Sequence, residues 1–233
     1  MSFAKSGTGE TDYEKYIRTT ELLALQKRPA DLCNDDELFF QSIHQAMEIW
    51  MKIVGFEMVK ITRYLDGDHL QRASLHLQRV ARMFDYLSDG LPILETMSQA
   101  DYHEIRLALG RGSGQDSPGF NACLEELPRL WAPFTRALER HGCTDLVDLL
   151  KTPHDKKHEA LYYVAQGMID VDKSFQHFRY VHLQMARREI GLAVKSLKGV
   201  PARSLEQGIL KAAFPELWAA IEQLTVATNP VYG

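Results

Sequence analysis

The sequence predicts an all-α protein, a single-domain helical bundle with long antiparallel helices. Apolar residues recur at steps of three and four over long stretches, whereas no segment shows sustained alternation and β-branched residues are sparse. A chain of 233 residues, 45% of them hydrophobic and 25% charged, is long enough to enclose one large core. We expect a flexible N-terminus over residues 1–11, which is rich in small polar residues, and one domain over residues 12–233.

In the first half of the chain, helix-breaking and helix-capping residues indicate where each helix begins and ends. A helix is expected over residues 13–26 and ends before Pro29. The acidic cluster at 34–37 favours the start of a second helix, which residues 66–68 terminate. A third is expected over 69–97, cut at Gly90-Leu91-Pro92, and a fourth, short helix over 101–109.

Residues 110–119 form the one conspicuous loop that the sequence predicts, because they contain four glycines and a proline. Helices resume over 121–141 and 144–151. A long helix then covers 157–197 and ends at Gly199-Val200-Pro201. A last helix follows and ends near Leu224.

Composition excludes several classes of function. The net charge of −4 is spread without blocks of like charge, so we expect no binding to nucleic acid or to an acidic membrane surface. The first residues lack the apolar core of a signal peptide, and no apolar run reaches transmembrane length. Three widely spaced cysteines predict neither a disulfide framework nor a zinc site. The expected location is a reducing cytoplasm.

His182 stands on the apolar face of the long helix expected over 157–197. From Leu161 to Met185 the apolar positions advance by three and four, and an imidazole replaces a hydrophobic residue in that series. A buried imidazole needs a partner, which is either a backbone carbonyl or a metal such as haem iron. Spacing alone leaves both interpretations open.

Four ordered blocks make the chain similar to the tryptophan 2,3-dioxygenase family from about residue 12 to residue 224. Single pieces, such as His44-Gln45, are weak signals, but four blocks at family-like spacing are specific. The blocks are Tyr13-Glu14-Lys15-Tyr16-Ile17 with Leu22, Leu23 and Gln26; Asp36-Glu37 with Phe40, His44-Gln45 and residues 48–52; Leu94-Glu95-Thr96-Met97 through Tyr102 and Arg106 to Ser113-Gly114; and Phe178-Arg179-Tyr180-Val181-His182 with Met185, Arg188 and Gly191.

The resemblance implies a bundle that encloses a b-type haem, with His182 as the proximal ligand of the iron. It also implies that Arg106 holds the carboxylate of an amino-acid substrate, and Tyr102, one turn earlier, adds a hydroxyl donor. A guanidinium can clamp a carboxylate through two parallel hydrogen bonds, a geometry that lysine cannot supply. The alternative for Arg106 is a surface ion pair with a neighbouring acid.

Two further pairs of residues receive roles from the family pattern. Ser113 and Gly114 match the Ser-Gly that lines the family's pocket beside the haem, and the alternative is a plain solvent loop. Tyr13 and Tyr16 match a helix that reaches into a neighbouring subunit's active site. The resemblance therefore implies a homo-oligomer, either a tetramer or a dimer.

The chain departs from the family at two expected site positions. Counted back from His44, the family's distal histidine falls on Asp35, which can accept the hydrogen bond of the indole N–H as Asn34 can in a shifted register. The alternative is that Asp35 merely caps a helix. Fourteen residues after His182 the family has a threonine in a glycine-rich lid, whereas this chain has Ser196 in Lys195-Ser196-Leu197-Lys198-Gly199.

The leading functional hypothesis is a haem-dependent oxygenase that inserts O2 into the indole C2–C3 bond of L-tryptophan or a substituted tryptophan. The product would then be of the N-formylkynurenine type. A close alternative inserts one oxygen atom into an aromatic amino acid, giving a 2-oxindole or a hydroxylated product. A helical protein without catalysis, with or without haem, is the alternative from a different class.

Overall fold

A computed structural model describes residues 11–110, 112–193 and 204–228, and all regular structure in these ranges is helical. This confirms the all-α prediction. The α-helices are α1 (Asp12–Ile17), α2 (Thr19–Leu22), α3 (Glu37–Asp66), α4 (Leu70–Leu94), α5 (Gln99–Ala108), α6 (Pro118–Glu126), α7 (Trp131–Arg140), α8 (Leu146–Lys151), α9 (Glu159–Ile190), α10 (Ser204–Ile209) and α11 (Pro215–Thr228). Short 3₁₀ turns at Pro29–Asp31, Gly114–Asp116 and Pro128–Leu130 connect them.

Three long helices, α3, α4 and α9, form the frame of the bundle. Helices α3 and α4 are antiparallel, because only residues 67–69 join them. Helices α4 and α9 run parallel: Ser74 lies against Tyr163 near their N-termini, and the Arg188 guanidinium donates to the carbonyl oxygen of Glu95 near their C-termini at 3.0 Å. The expectation of antiparallel long helices therefore holds for α3 and α4 and is wrong for α4 and α9. The reason is that α5 to α8 carry the chain from the C-terminal end of α4 back to its N-terminal end, where α9 begins.

The contact between α4 and α9 contains the centre of the hydrophobic core. Leu77, Val164 and Phe84 are fully buried there, and the Phe84 ring lies 4.9 Å from that of Phe175. A Cβ added to Gly167 would come within 2.9 Å of the Leu77 Cβ, so the two helices approach as closely as they do because residue 167 has no side chain. This packing fixes the rotation of α9 and hence the direction in which its polar residues point.

Several helix boundaries differ from those expected. The first helix is divided at Arg18, whose φ of 54° separates α1 from α2. Helix α4 continues through Gly90 and Pro92, because Leu91 and Leu94 are both buried against the core. Helix α9 ends at Ile190 instead of residue 197, where Gly191 takes a φ of 74°. Within the described ranges, no helix is both long enough and apolar enough to span a membrane.

A fully buried carboxylate, Asp172 on α9, fastens the C-terminal helix to the frame. It accepts hydrogen bonds from the backbone N–H groups of Ala213 and Phe214, at 3.0 and 3.1 Å. It also accepts from the indole N–H of Trp218 at 2.8 Å and from the Gln176 side chain at 3.0 Å. Four donors compensate the cost of burying the charge and dock α11 on α9.

We expect Asp172→Ala to lower the free energy of unfolding by about 3 kcal/mol, because four donors lose a charged acceptor in a fully buried site. Urea unfolding measures this loss. Asp170→Ala is the matched control, since Asp170 is exposed on the opposite face of the same helix. Equal effects of the two substitutions would show that the Asp172 contacts do not fasten α11.

Candidate active site

Two adjoining cavities lie between α3, α5, α9 and α10, with volumes of about 130 and 290 Å³. Ligand pockets are usually about 300–1,000 Å³, so the two together reach that range. Five residues line both cavities: His44, Gly114, Gln115, His182 and Leu205. The smaller cavity is also lined by Phe40, Leu94, Met97, Tyr102, Arg106, Leu109, Ser113, Met185 and Glu189, and the larger by Met47, Glu48, Met51, Leu91, Ser117, Phe120 and Phe178.

His182 projects from α9 into the region where the two cavities meet. Burial and, to a smaller extent, the neighbouring imidazole of His44 together lower the pKa of its imidazole to about 4. The ring is therefore neutral near pH 7 and keeps one nitrogen lone pair available to a ligand. Its Nε2 lies 3.5 Å from where a Cβ on Gly114 would be, so a small residue in the loop opposite keeps this nitrogen accessible.

His44, on the inner face of α3, is a second imidazole in the same place. Its Nδ1 donates to the carbonyl oxygen of Phe40 at 2.7 Å, and burial lowers its pKa. A neutral ring that donates through Nδ1 has an unprotonated Nε2, which can accept a hydrogen bond. Sequence reasoning did not give His44 a role, although Phe40, His44, Met47 and Met51 follow one another at steps of four and three along the helix.

Helix α5 brings Tyr102 and Arg106 to the smaller cavity, one turn apart. The Tyr102 ring packs edge-on against Phe40 at 6.2 Å, and burial raises the pKa of its hydroxyl. The position of α5 is fixed by Asn34, whose side-chain amide donates to the carbonyl oxygen of Asp101 at 3.0 Å. A hydroxyl donor and a guanidinium therefore share one wall of the cavity.

The glycine-containing loop forms the wall opposite His182. Ser113 and Gly114 both line the smaller cavity, and Gly114 also lines the larger one. The loop is held to α3 by Glu48, which accepts hydrogen bonds from the Ser117 hydroxyl and from Gly119 N, the latter at 3.0 Å. The structure thus brings together five of the residues singled out by the sequence: Tyr102, Arg106, Ser113, Gly114 and His182.

Comparison with known proteins shows the family of the chain. The model of the family described as tryptophan 2,3-dioxygenase matches residues 2–127, just over half of the chain. The chain belongs to this family. It is similar to the tryptophan 2,3-dioxygenases of Erythrobacter litoralis (29% identity, covering 89% of this chain and 96% of the relative), Bacillus cereus strain ATCC 10987 (27%, 88% and 90%) and Myxococcus xanthus (26%, 93% and 91%). The assignment made from four sequence blocks is confirmed, and the chain is an enzyme of the tryptophan 2,3-dioxygenase family.

The structure does not bring Asp35 into the candidate site. It is exposed in the turn before α3 and lines neither of the two cavities, so its catalytic role stays a prediction that rests on the family resemblance. The residue at the N-cap of α3 is Asp36, so Asp35 is not the cap either. The polar side chains of α3 that line the cavities are His44, which lines both, and Glu48, which lines the larger one.

The remaining residues of the expected site lie outside the two cavities. Tyr13 and Tyr16 stand on α1 and are 70% and 88% exposed, so this subunit's own cavity does not use them. Ser196 lies outside the residues that the structure describes.

The buried imidazole of His182 makes stability depend on pH. Its folded pKa of about 4 is below the value of 6.5 for an unperturbed histidine, so the unfolded chain binds the proton more tightly. Stability from this group is complete above pH 6.5 and is lost as the pH falls towards 4, by up to about 3 kcal/mol. We expect His182→Leu to reduce the loss of unfolding free energy between pH 7 and pH 4. His177→Leu, on the exposed face of α9, should leave the pH profile of the wild type unchanged.

Proposed function

We propose that this enzyme is a haem-dependent oxygenase that inserts both atoms of O2 across the indole C2–C3 bond of L-tryptophan or a substituted tryptophan. The expected product is of the N-formylkynurenine type. The observation that carries the proposal is a neutral, desolvated imidazole at 182 that shares a cavity with a guanidinium at 106. Family membership supports the reaction class.

The residues around His182 fit haem b. Within the described ranges, no group of three or more histidine, cysteine or acidic side chains could hold a bare metal ion, whereas haem iron needs only one or two protein ligands. His182 would hold the iron, and Ser113 and Gly114 would allow the macrocycle to lie close to the loop. Bound haem supplies the redox chemistry with O2.

Arg106 and Tyr102 would orient the substrate by its carboxylate. The guanidinium offers two parallel N–H donors, and the Tyr102 hydroxyl, one turn away, offers a third. Ser196 remains part of this proposal as a further hydroxyl near the amino-acid group. Fixing one end of the substrate holds the indole in a constant position, and orientation of this kind contributes much of the rate acceleration that a protein provides.

His44 would bind the other end of the substrate. Its Nε2 is unprotonated because Nδ1 donates to Phe40, so it can accept a hydrogen bond from the indole N–H. The apolar side chains of Phe40, Met97 and Leu109 would pack around the ring and exclude water. His44 thus takes the place that sequence reasoning gave to Asp35.

We also propose that the enzyme assembles as a homo-oligomer, a tetramer or a dimer, in which Tyr13 and Tyr16 complete a neighbouring subunit's site. Both rings are exposed on α1 and can therefore be buried by a second copy of the chain. Large exposed aromatic side chains are typical of residues that become buried on association.

Incubation of the haem-loaded enzyme with L-tryptophan and 18O2 tests the reaction directly. We expect the product to contain both labelled atoms when its mass is measured before the formyl group is hydrolysed. Incorporation of a single labelled atom would contradict the proposal and favour the monooxygenase alternative. Absence of any oxygenated product from a panel of tryptophan and tyrosine analogues would contradict both.

Arg106→Leu separates substrate binding from haem binding. We expect the variant to retain the Soret band and to bind L-tryptophan about 30-fold more weakly, since charged hydrogen bonds contribute about 1.5–3 kcal/mol. Absorption titration of the Soret band with L-tryptophan measures both properties. His182→Ala is the contrasting variant, which should lose the Soret band. Loss of haem from the Arg106 variant would mean that Arg106 supports the fold instead of the substrate.

A further inference from the structure

Glu189 lines the cavity that contains His182, Tyr102 and Arg106, and sequence analysis gave it no role. It lies on α9 seven residues after His182, two helical turns away, which is about 10 Å along the axis on the same face. Only 3% of its surface is exposed. A carboxylate is therefore placed in the same cavity as His182, two turns further along the same helix.

Both carboxylate oxygens of Glu189 are buried and have no hydrogen-bond partner among the residues that the structure describes. Arg188 is adjacent, with its Nε 3.6 Å from Oε1, but its Nη2 donates to the carbonyl oxygen of Glu95. Burial raises the pKa of Glu189, and this outweighs the opposing effects of Arg188 and His103. Among the described residues, none that lines the cavity donates a hydrogen bond to this carboxylate.

An unpartnered buried carboxylate lowers the stability of a fold. Burial without hydrogen bonds costs several kcal/mol for a charged group, and more than nine in ten buried polar groups have a partner. Asp172, on the same helix, shows the usual solution, because four donors surround it. Glu189 has instead the properties of a group whose partner arrives with a ligand.

The charges in the cavity match those of an amino acid. Arg106 presents a positive group on α5 and Glu189 a negative group on α9, and helices α5 and α9 are in contact. An amino acid at neutral pH carries an ammonium and a carboxylate on one carbon atom. We propose that Glu189 is a specificity-determining residue that binds the α-ammonium group of the substrate, an inference that rests on the proposed function.

Two ligands that differ only in the ammonium group test this assignment. L-Tryptophan and 3-(indol-3-yl)propionate share the indole and the carboxylate, and both can be titrated against the Soret band of the haem-loaded full chain. We expect the wild type to bind L-tryptophan at least about 10-fold more tightly. Glu189→Gln keeps the volume and removes the charge, so it should weaken L-tryptophan binding by that factor and leave 3-(indol-3-yl)propionate unchanged.

Glu139→Gln is the matched control, because it removes the same charge from an exposed position on α7. It should bind both ligands as the wild type does. If Glu189→Gln weakens both ligands equally, or neither, the assignment is overturned. If wild-type protein binds the two ligands equally, it is overturned whether or not the variant folds. If the haem-loaded wild type binds neither ligand and oxidises neither, the proposed function itself fails.

Thermal unfolding of the ligand-free protein gives an independent readout. Because the Glu189 carboxylate is buried without hydrogen bonds, Glu189→Gln should raise the unfolding midpoint, by about 3 °C for a chain of this size. L-Tryptophan should raise the midpoint of the haem-loaded wild type more than that of the variant. A variant with a midpoint well below that of the wild type would show that Glu189 stabilises the fold, which would overturn the assignment.

Discussion

The close packing of α9 on α4 is the constraint on which the site depends. Gly167 lets the two helices approach, and the buried aromatic contact between Phe84 and Phe175 continues the contact towards the cavity. Since a helix is rigid over 32 residues, the rotation fixed at Gly167 also decides where residues about four and about six turns later point. His182 and Glu189 face the cavity because a glycine far from it has no side chain.

The polar side chains of the long helices fall into two groups, which differ in whether their hydrogen-bond partners lie within the chain. Asp172 is buried with all its donors in place, so it stabilises the fold. His44 and His182 are half-buried rings whose pKa values are lowered by burial, and both line a space that the chain does not fill. Polar side chains that are fully hydrogen-bonded within the chain stabilise the fold, whereas those that face an unfilled cavity are candidates for binding a ligand.

Much of the fold and part of the site could be predicted from the sequence. Periodicity placed α3 and α9, and the series through His182 correctly turned its imidazole inward, because side-chain direction on a helix is a local property. The relative direction of α4 and α9 was not predictable, since it depends on the path of the chain between them. Which of Asp35 and His44 lines the cavity was not predictable for a related reason: whether a residue in or before the first turns of a helix reaches the core depends on the neighbouring helices.

The attachment of α11 by Asp172 has a consequence for how the protein matures. Leu205 and Gly208 on α10 line the cavity, and Asp172 holds the segment that follows through Ala213, Phe214 and Trp218. During synthesis the cavity therefore stays open on one side until α10 and α11 have been made. A ligand can be enclosed on that side only after these helices have packed on α9.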